Sequence, residues 1–163
     1  MNELIGEVEQ FAPEWGIVLG SGLGALVEQV QVLGSLAFSE VAEMPPSKVP
    51  GHAGRFLWGM YVGKRVLVSQ GRVHLYEGHS AKEVTSGVRW MAACGVRRLI
   101  LTNAAGTLNE AHPPGSWMML TDHINLTGTT PLLGGPNFVD MSEVYSKTLR
   151  DLFTESARAA GVV

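Results

Sequence analysis

The stretch WGIVLGSGLG, residues 15–24, decides the fold class of this chain. Its first half is a short apolar run stopped by glycine, which is typical of a strand buried inside a sheet. Its second half is rich in glycine and is followed by residues that suit a short helix. We therefore predict a buried strand, a tight loop over residues 20–24 and a helix that ends near Val30. Strand–loop–helix units of this kind are typical of α/β proteins.

Further strands and helices follow this unit along the chain. Two apolar runs within residues 56–71 predict two strands joined near Gly63. Ser80 and Glu83 form a capping box, which predicts the start of a helix, and Gly95 marks its end. Strands and helices therefore alternate, as an α/β fold requires.

The second half of the chain continues this pattern. Residues 97–106 predict a strand that ends in a loop of small residues. Asp140 and Glu143 form a second capping box, which predicts a helix running to about Ala160. Gly161 ends that helix, and two valines of the kind that begin strands follow it.

Taken together, these elements predict an α/β fold with a mixed central sheet flanked by helices. Strands that are apolar throughout indicate a sheet covered on both faces. Because the final valines begin a strand with nothing after it, we expect the fold to be truncated at the C-terminus. Residues 1–163 are then a single, incomplete domain.

Composition excludes several classes of function. Of 163 residues, 45% are apolar and 17% charged, which provides a core and argues against disorder. The net charge of −3 gives no general basic surface for nucleic acid, and no apolar run is long enough to span a membrane. Cys94 is the single cysteine, so no disulfide framework is expected and a cytoplasmic location fits. His74 and His79 lack a third ligand, so we expect no metal site.

Polar loops follow three of the predicted strands, and ligands of α/β sheets bind at the carboxyl ends of strands. In the loop GSGLG, backbone amides and the hydroxyl of Ser21 suit a phosphate. Read to Ala25, the same stretch also fits a dinucleotide-binding pattern, and a plain tight turn is the alternative explanation of its glycines. In the loop TNAAG, Asn103 and the backbone at Ala104 can contact a ligand, or Asn103 can simply cap a turn.

The stretch GRVHLYEG, residues 71–78, carries the most chemistry. If it stays extended, Arg72, His74 and Tyr76 lie on one face because they are two residues apart. Arginine matches phosphate oxygens, and the aromatic hydroxyl adds a sugar or ring contact. A solvent-exposed face on an edge strand is the alternative. His52, between glycines in PGHAGR, lies either in a mobile loop that closes over a site or in a plain surface loop.

These motifs together resemble those of a known enzyme family. GSGLG, VPGHAGR, GRVHLYEG, TNAAGTLN, DHINLTG and MSEVY are similar, in that order, to motifs of the trimeric purine nucleoside phosphorylases, with their phosphorylase/hydrolase-like fold. The resemblance implies reversible phosphorolysis of purine ribonucleosides or deoxyribonucleosides. The products are the free base and ribose 1-phosphate or deoxyribose 1-phosphate. Inorganic phosphate is then the co-substrate, and no cofactor or metal is expected.

The resemblance also implies roles for individual residues. His74 and Asn103 are expected at the reacting centre, and Tyr76 at the ribose. Phe138 is expected to reach the ribose pocket of a neighbouring subunit, so a homotrimer would complete each site. The expected phosphate ligands are Ser21, His52, Arg72, His74 and the backbone at Ala104.

Part of the family pattern is missing, and other interpretations stay open. The family's purine-binding residues, and further phosphate and ribose contacts, lie beyond residue 163, so base preference is not readable and the chain alone is expected to be inactive. A methylthioadenosine phosphorylase-like enzyme shares the fold but is the weaker match. A dinucleotide-binding module, with Glu40 as its acidic residue, is a second alternative. An inactive fragment or assembly partner is a third.

Overall fold

The computed structural model describes residues 3–46 and 53–162. They fall into two compact units, one that runs to Ala104 and one that starts at Ala105. The first unit contains all the strands of the described part of the chain. The prediction that residues 1–163 form a single, incomplete domain stays a prediction.

The first unit alternates strands with helical segments, as the sequence predicts. The two predicted strands within residues 56–71 and the buried strand at WGIVLG are confirmed. The short helix predicted after GSGLG is a 3-10 helix, Gly24–Gln29. The α-helices and strands are α1 (Glu3–Phe11), β1 (Trp15–Leu19), β2 (Gln31–Ala37), β3 (Arg55–Tyr61), β4 (Lys64–Gln70), α2 (Ala81–Val84), α3 (Ser86–Ala93) and β5 (Arg98–Leu101).

The five strands form one mixed sheet in the order β2-β3-β4-β1-β5. Strand β3 is antiparallel to both of its neighbours, β2 and β4. Strand β1 runs parallel to both β4 and β5, with Leu19 opposite Gln70 and Val18 opposite Leu101. The predicted mixed α/β sheet is therefore confirmed, and β1 lies between two parallel neighbours.

Each face of the sheet carries an apolar cluster. On one face, Val8 of α1 and Met91 of α3 pack with the fully buried Phe56 and Leu67. On the other face, residues of the Gly24–Gln29 helix pack against buried side chains of β1 and β4. In the first cluster the buried rings of Phe38 and Phe56 are in contact, and the partly buried Trp90 packs its ring against that of Phe56.

The helix predicted over residues 80–95 is interrupted. Its capping box is confirmed, because Ser80 Oγ accepts a hydrogen bond from the backbone N–H of Glu83 and the Glu83 carboxylate accepts one from the backbone N–H of Ser80. The interruption falls at Thr85, whose hydroxyl donates to the carbonyl of Ala81 at 2.8 Å. Hydroxyls that bond back to the preceding turn in this way bend helices. Gly95, with φ +106, ends the second segment as predicted.

The helix of the second unit begins later than its sequence predicts. Helix α4 spans Lys147–Ala159, and Ser146 caps it. Asp140 instead accepts a hydrogen bond from the backbone of Ser142, and Glu143 accepts one from the backbone N–H of Lys147. The predicted capping box at residues 140 and 143 is therefore wrong. The two acidic side chains stabilise turns that precede the helix, whose end at Gly161 (φ +68) is as predicted.

No helix in the described ranges has both the length and the apolar character that a membrane crossing needs.

The β3–β4 hairpin has an unfavourable turn residue, which gives a first prediction. Val62 and Gly63 form its two-residue loop with φ values of 47° and 70°. Such a turn favours asparagine followed by glycine, whereas a β-branched residue is strained there. Val62 is 84% exposed, so its replacement loses little buried surface. We expect Val62→Asn to raise the free energy of unfolding by about 1 kcal/mol, measured by urea denaturation.

Val32→Asn is the matched control for this prediction. Val32 is also exposed, at 42%, but lies in strand β2 rather than in a left-handed turn. This control is expected to leave the free energy of unfolding unchanged or to lower it. A decrease in stability for Val62→Asn would show that the turn is not strained.

A second prediction concerns the buried thiol of Cys94. Cys94 is 3% exposed, and its burial raises the pKa of the thiol from 9.0 to about 11. Between these two values the unfolded chain loses a proton that the native chain keeps, so stability falls as the pH rises through this window. We expect urea denaturation at about pH 8 and about pH 10.5 to show a larger loss for the wild type than for Cys94→Ala. Equal losses would contradict the raised pKa.

Candidate active site

The carboxyl ends of the three parallel strands meet at one edge of the sheet. Strand β1 lies between β4 and β5, and the pairings of Leu19 with Gln70 and of Val18 with Leu101 bring the loops after these strands together. The chain passes from β1 to one side of the sheet and later returns to β5 on the other side. Ligands of α/β sheets bind at such a change of direction. We call the segments after β1, β4 and β5 the rim, namely residues 20–22, 71–78 and 102–104.

Gly20 is the point where the three rim segments touch. A Cβ atom at Gly20 would lie 2.7 Å from the carbonyl oxygen of Thr102, 2.9 Å from Arg72 Nη2 and 2.9 Å from the Cα of Asn103. Two of these neighbours are backbone atoms, which cannot move aside, so any side chain would collide here. The close approach therefore depends on glycine, and Arg72 Nη2 lies beside Gly20 where the backbone that follows β5 also approaches.

Arg72 is the half-buried cation of the rim. Burial lowers the pKa of its guanidinium below the ordinary value, and the nearby Tyr76 phenol opposes that shift. Arginine nevertheless keeps its charge in proteins. A cation that has lost part of its water gains more from an anion beside it than an exposed cation does. The rim can therefore attract a phosphate at this guanidinium.

The segment that contains His74 and Tyr76 differs from its sequence prediction. The strand does not continue to residue 76, because Gly71 (φ +105) follows the end of β4 and residues 75–77 form a 3-10 turn. The backbone N–H of His74 donates to Glu77 Oε1 at 2.7 Å, which closes this turn. The predicted extended face is therefore wrong.

The turn still brings two of the predicted site residues together. The rings of His74 and Tyr76 stack with their centroids 4.8 Å apart and 17° between their planes. Tyr76 is 74% exposed, so its phenol is accessible to a ligand beside the imidazole. An imidazole and a phenol stacked in this way offer both hydrogen bonds and an aromatic surface.

Three of the remaining predicted site residues, Ser21, Asn103 and Ala104, lie in the rim segments. Ser21 is exposed in the turn directly after Gly20. Asn103 and Ala104 are exposed after β5, and Asn103 Nδ2 donates to the Ala104 carbonyl at 3.4 Å. His52 lies outside the described residues. Phe138 is 95% exposed and belongs to the second unit.

Thr102 is a rim residue that the sequence pattern does not single out. Its hydroxyl accepts a hydrogen bond from the backbone N–H of Gly20 at 2.8 Å and donates one to the carbonyl of Val18 at 2.9 Å. Threonine is common in strands, so no sequence signal distinguishes it from an ordinary strand residue. Only the pairing of β1 with β5 reveals its contacts.

The alternative of a dinucleotide-binding module finds little support in this geometry. That module needs an α-helix whose first turn faces the phosphates, whereas the GSGLG loop leads into a short 3-10 helix. The proposed acidic residue, Glu40, accepts a hydrogen bond from the backbone N–H of Ala37 at 2.7 Å. Its carboxylate therefore closes a local turn. Within the described ranges, no group of three or more His, Cys, Asp or Glu side chains is placed to hold a metal ion.

The fold and the rim define an α/β protein with a candidate site at the carboxyl ends of its parallel strands. The chain belongs to the phosphorylase superfamily, because the model of that family matches residues 14–163.

Similar proteins carry a more specific name. Purine nucleoside phosphorylase 1 of Geobacillus stearothermophilus is 45% identical over 157 residues, which cover 93% of this chain and 57% of that protein. Bovine purine nucleoside phosphorylase is 40% identical over 156 residues, covering 90% of this chain and 54% of that protein. The predicted resemblance to purine nucleoside phosphorylases is thus confirmed. The chain spans little more than half the length of these curated relatives.

A solved structure shows the same fold. Isoform 2 of purine nucleoside phosphorylase from Schistosoma mansoni, in complex with cytosine and ribose-1-phosphate, superposes with a TM-score of 0.87 and 32% identity. The match covers 98% of this chain and 59% of that one.

Proposed function

We propose that this chain provides the phosphate-binding half of a purine nucleoside phosphorylase site. The observation that carries the proposal is the contact of the half-buried Arg72 guanidinium with Gly20, at the meeting point of three strand ends. The reaction is the reversible phosphorolysis of a purine ribonucleoside or deoxyribonucleoside. Phosphate attacks the anomeric carbon, and the purine leaves as the free base, with ribose 1-phosphate or deoxyribose 1-phosphate as the other product.

Each rim segment has a role in this proposal. Ser21, Arg72, His74 and the backbone at Ala104 hold the phosphate, and His52 closes over it. Asn103 lies beside the phosphate and the sugar, at the reacting centre with His74. The sugar packs against the exposed phenol of Tyr76, which the stacked His74 ring supports. A relative solved with ribose-1-phosphate supports this choice of ligand.

The chemistry of the reaction explains why such a rim helps. As the bond to the purine breaks, positive charge develops on the ribosyl group, between the leaving base and the incoming phosphate. Donors fixed on separate loops hold the phosphate in line with the breaking bond, so much of the rate gain comes from positioning and electrostatics. The phosphate oxygens then stabilise the developing cation without rearrangement of the loops.

The same proposal covers the ligands, the subunit partners and the location of the enzyme. The natural ligands are phosphate and a purine nucleoside, without a metal or organic cofactor. Phe138, whose side chain is 95% exposed, would reach the ribose pocket of a neighbouring subunit in a homotrimer. The enzyme would act in the cytoplasm. Contacts to the purine ring would correspond to the part of the Geobacillus relative that this chain does not match, since the chain covers 57% of that protein.

A fusion experiment tests the proposed function. The 163-residue chain is joined to the part of the Geobacillus relative that follows the matched region, and release of hypoxanthine from inosine is measured with and without phosphate. We expect phosphate-dependent release from the fusion and none from the 163-residue chain alone. Arg72→Ala in the same fusion should abolish it. A folded fusion that releases no purine, or releases it equally without phosphate, would refute the proposal. Methylthioadenosine, assayed in parallel, identifies the related activity.

A further inference from the structure

The hydroxyl of Thr102 joins two strand ends that are far apart in sequence. It accepts a hydrogen bond from the backbone N–H of Gly20 at 2.8 Å and donates one to the carbonyl of Val18 at 2.9 Å. The same Val18 carbonyl also accepts the backbone N–H of Thr102 at 3.1 Å. The pairing of β1 with β5 therefore ends in a side chain that acts as donor and acceptor at once. We call these two hydroxyl bonds the Thr102 clasp.

The clasp fixes the turn that carries Ser21. Both backbone groups of Gly20 are hydrogen-bonded. Its N–H donates to the Thr102 hydroxyl, and its carbonyl accepts a hydrogen bond from the N–H of Leu23 at 3.2 Å. The turn that contains Ser21 starts directly after this fixed residue. The orientation of the Ser21 hydroxyl and of the following amides therefore depends on where the clasp holds Gly20.

The clasp also lies next to the other rim segments. Arg72 Nη2 and the Cα of Asn103 both approach the position where a Gly20 side chain would stand, at 2.9 Å each. A shift of Gly20 away from β5 would open this contact and change the distance between Ser21 and the guanidinium. Holding Gly20 in place thus sets the spacing of donors contributed by separate loops.

We propose that Thr102 is a positioning residue for phosphate binding, an inference that rests on the proposed function. Thr102 does not itself bind the phosphate. Its hydroxyl holds Gly20 so that Ser21 and Arg72 face the same anion. Donors that are preorganised in this way bind more tightly because binding does not have to order them. Both hydrogen bonds need a hydroxyl, so serine preserves the function of the clasp and valine, which has the same shape as threonine, removes it.

The test compares Thr102→Val with Thr102→Ser in the 163-residue chain. Affinity for inorganic phosphate is measured by calorimetry, and exchange of the Gly20 amide hydrogen by NMR, with circular dichroism to confirm folding. We expect Thr102→Val to weaken phosphate binding about tenfold and to speed Gly20 exchange by a similar factor, because a hydrogen bond is lost and its donor is left without a partner. Thr102→Ser should stay within about twofold of the wild type in both measurements.

The outcomes separate this inference from the proposed function. If the wild type binds phosphate and Thr102→Val binds it equally well, the positioning role is refuted and the proposed function stands. Weak phosphate binding by Thr102→Ser, with Gly20 exchange at the wild-type rate, also refutes it, because the hydrogen bonds of the clasp are then intact. If the wild type binds no phosphate, the proposed function falls and the positioning role falls with it. Should Thr102→Val be unfolded, Thr102→Ala is compared with Thr102→Ser by the same criteria.

Discussion

Replacing Arg72 with alanine is expected to weaken phosphate binding by about 30-fold or more, because hydrogen bonds to charged groups contribute more than neutral ones. Arg72 is the half-buried cation at the meeting point of the rim, with its Nη2 against Gly20. Its planar fork matches two phosphate oxygens at once, and the loss of part of its water strengthens its attraction for an anion. Calorimetric titration of the folded variant with inorganic phosphate measures the effect.

Two variants control for charge and for geometry in this experiment. Arg65→Ala removes the same side chain at the other end of strand β4, where Arg65 is exposed and pairs with Glu14 at 3.0 Å. This variant should bind phosphate as the wild type does. Arg72→Lys keeps the charge but loses the fork, so an intermediate affinity is expected. Equal losses for Arg65→Ala and Arg72→Ala would show that only net charge matters and would refute a specific site.

Replacing Phe56 with alanine is expected to have the second large effect, a loss of stability. Phe56 is fully buried, with its ring centroid 4.5 Å from that of Trp90 and 4.8 Å from that of Phe38. Helix α3 approaches it so closely that a Cβ at Gly87 would lie 3.3 Å from its ring. The structure around the ring cannot close the resulting cavity, so we expect the free energy of unfolding to fall by about 3–5 kcal/mol.

Urea denaturation of graded variants checks the Phe56 prediction. Phe56→Leu retains most of the apolar volume and should lose less than half as much stability as Phe56→Ala. Because the total stability of a domain is about 5–15 kcal/mol, the alanine variant should be measured at low temperature, where it stays folded. A loss below about 1 kcal/mol for Phe56→Ala would show that the surrounding side chains can close the cavity, which would contradict the prediction.

The apolar patterns of the sequence predict much of the sheet. Strands β1, β3, β4 and β5 are largely apolar runs with glycine near the ends of most of them, and all four were predictable from that pattern. Strand β2 carries no such signal. It lies at the edge of the sheet, contains Gly34 and has a register irregularity between Val32 and Gly34. Glycine is needed at this point because the Trp58 ring fills the space that a side chain would take, a contact that only the folded sheet reveals.

Local hydrogen bonds explain the predictions that were wrong. The sequence alone does not show that Glu77 accepts a hydrogen bond from the backbone of His74 and turns the chain, so it also allows one extended face over residues 72–76. Likewise, Ser146 rather than Asp140 caps helix α4, since several polar residues in one stretch compete for the same backbone donors. Polar side chains of this kind have several possible partners, and packing decides which one they take.

The candidate site, like the fold, is only partly predictable from the sequence. Residue type identifies the side chains that suit a phosphate, which is why Ser21, Arg72 and His74 stand out in the sequence. The contact of Arg72 with Gly20 depends on the pairing of β4, β1 and β5, which are separated by long stretches of chain. Thr102 acts only through that pairing, so nothing in the sequence near it indicates its contacts.

The central claim is that separate loops form one phosphate site at the rim, and a crystal structure of the chain grown with saturating phosphate tests it most directly. The account predicts tetrahedral density within hydrogen-bond distance of the Arg72 guanidinium, with the Ser21 hydroxyl and the His74 ring directed at the same anion. A rim that stays empty at saturating phosphate, with these three side chains directed away from one another, would contradict the account.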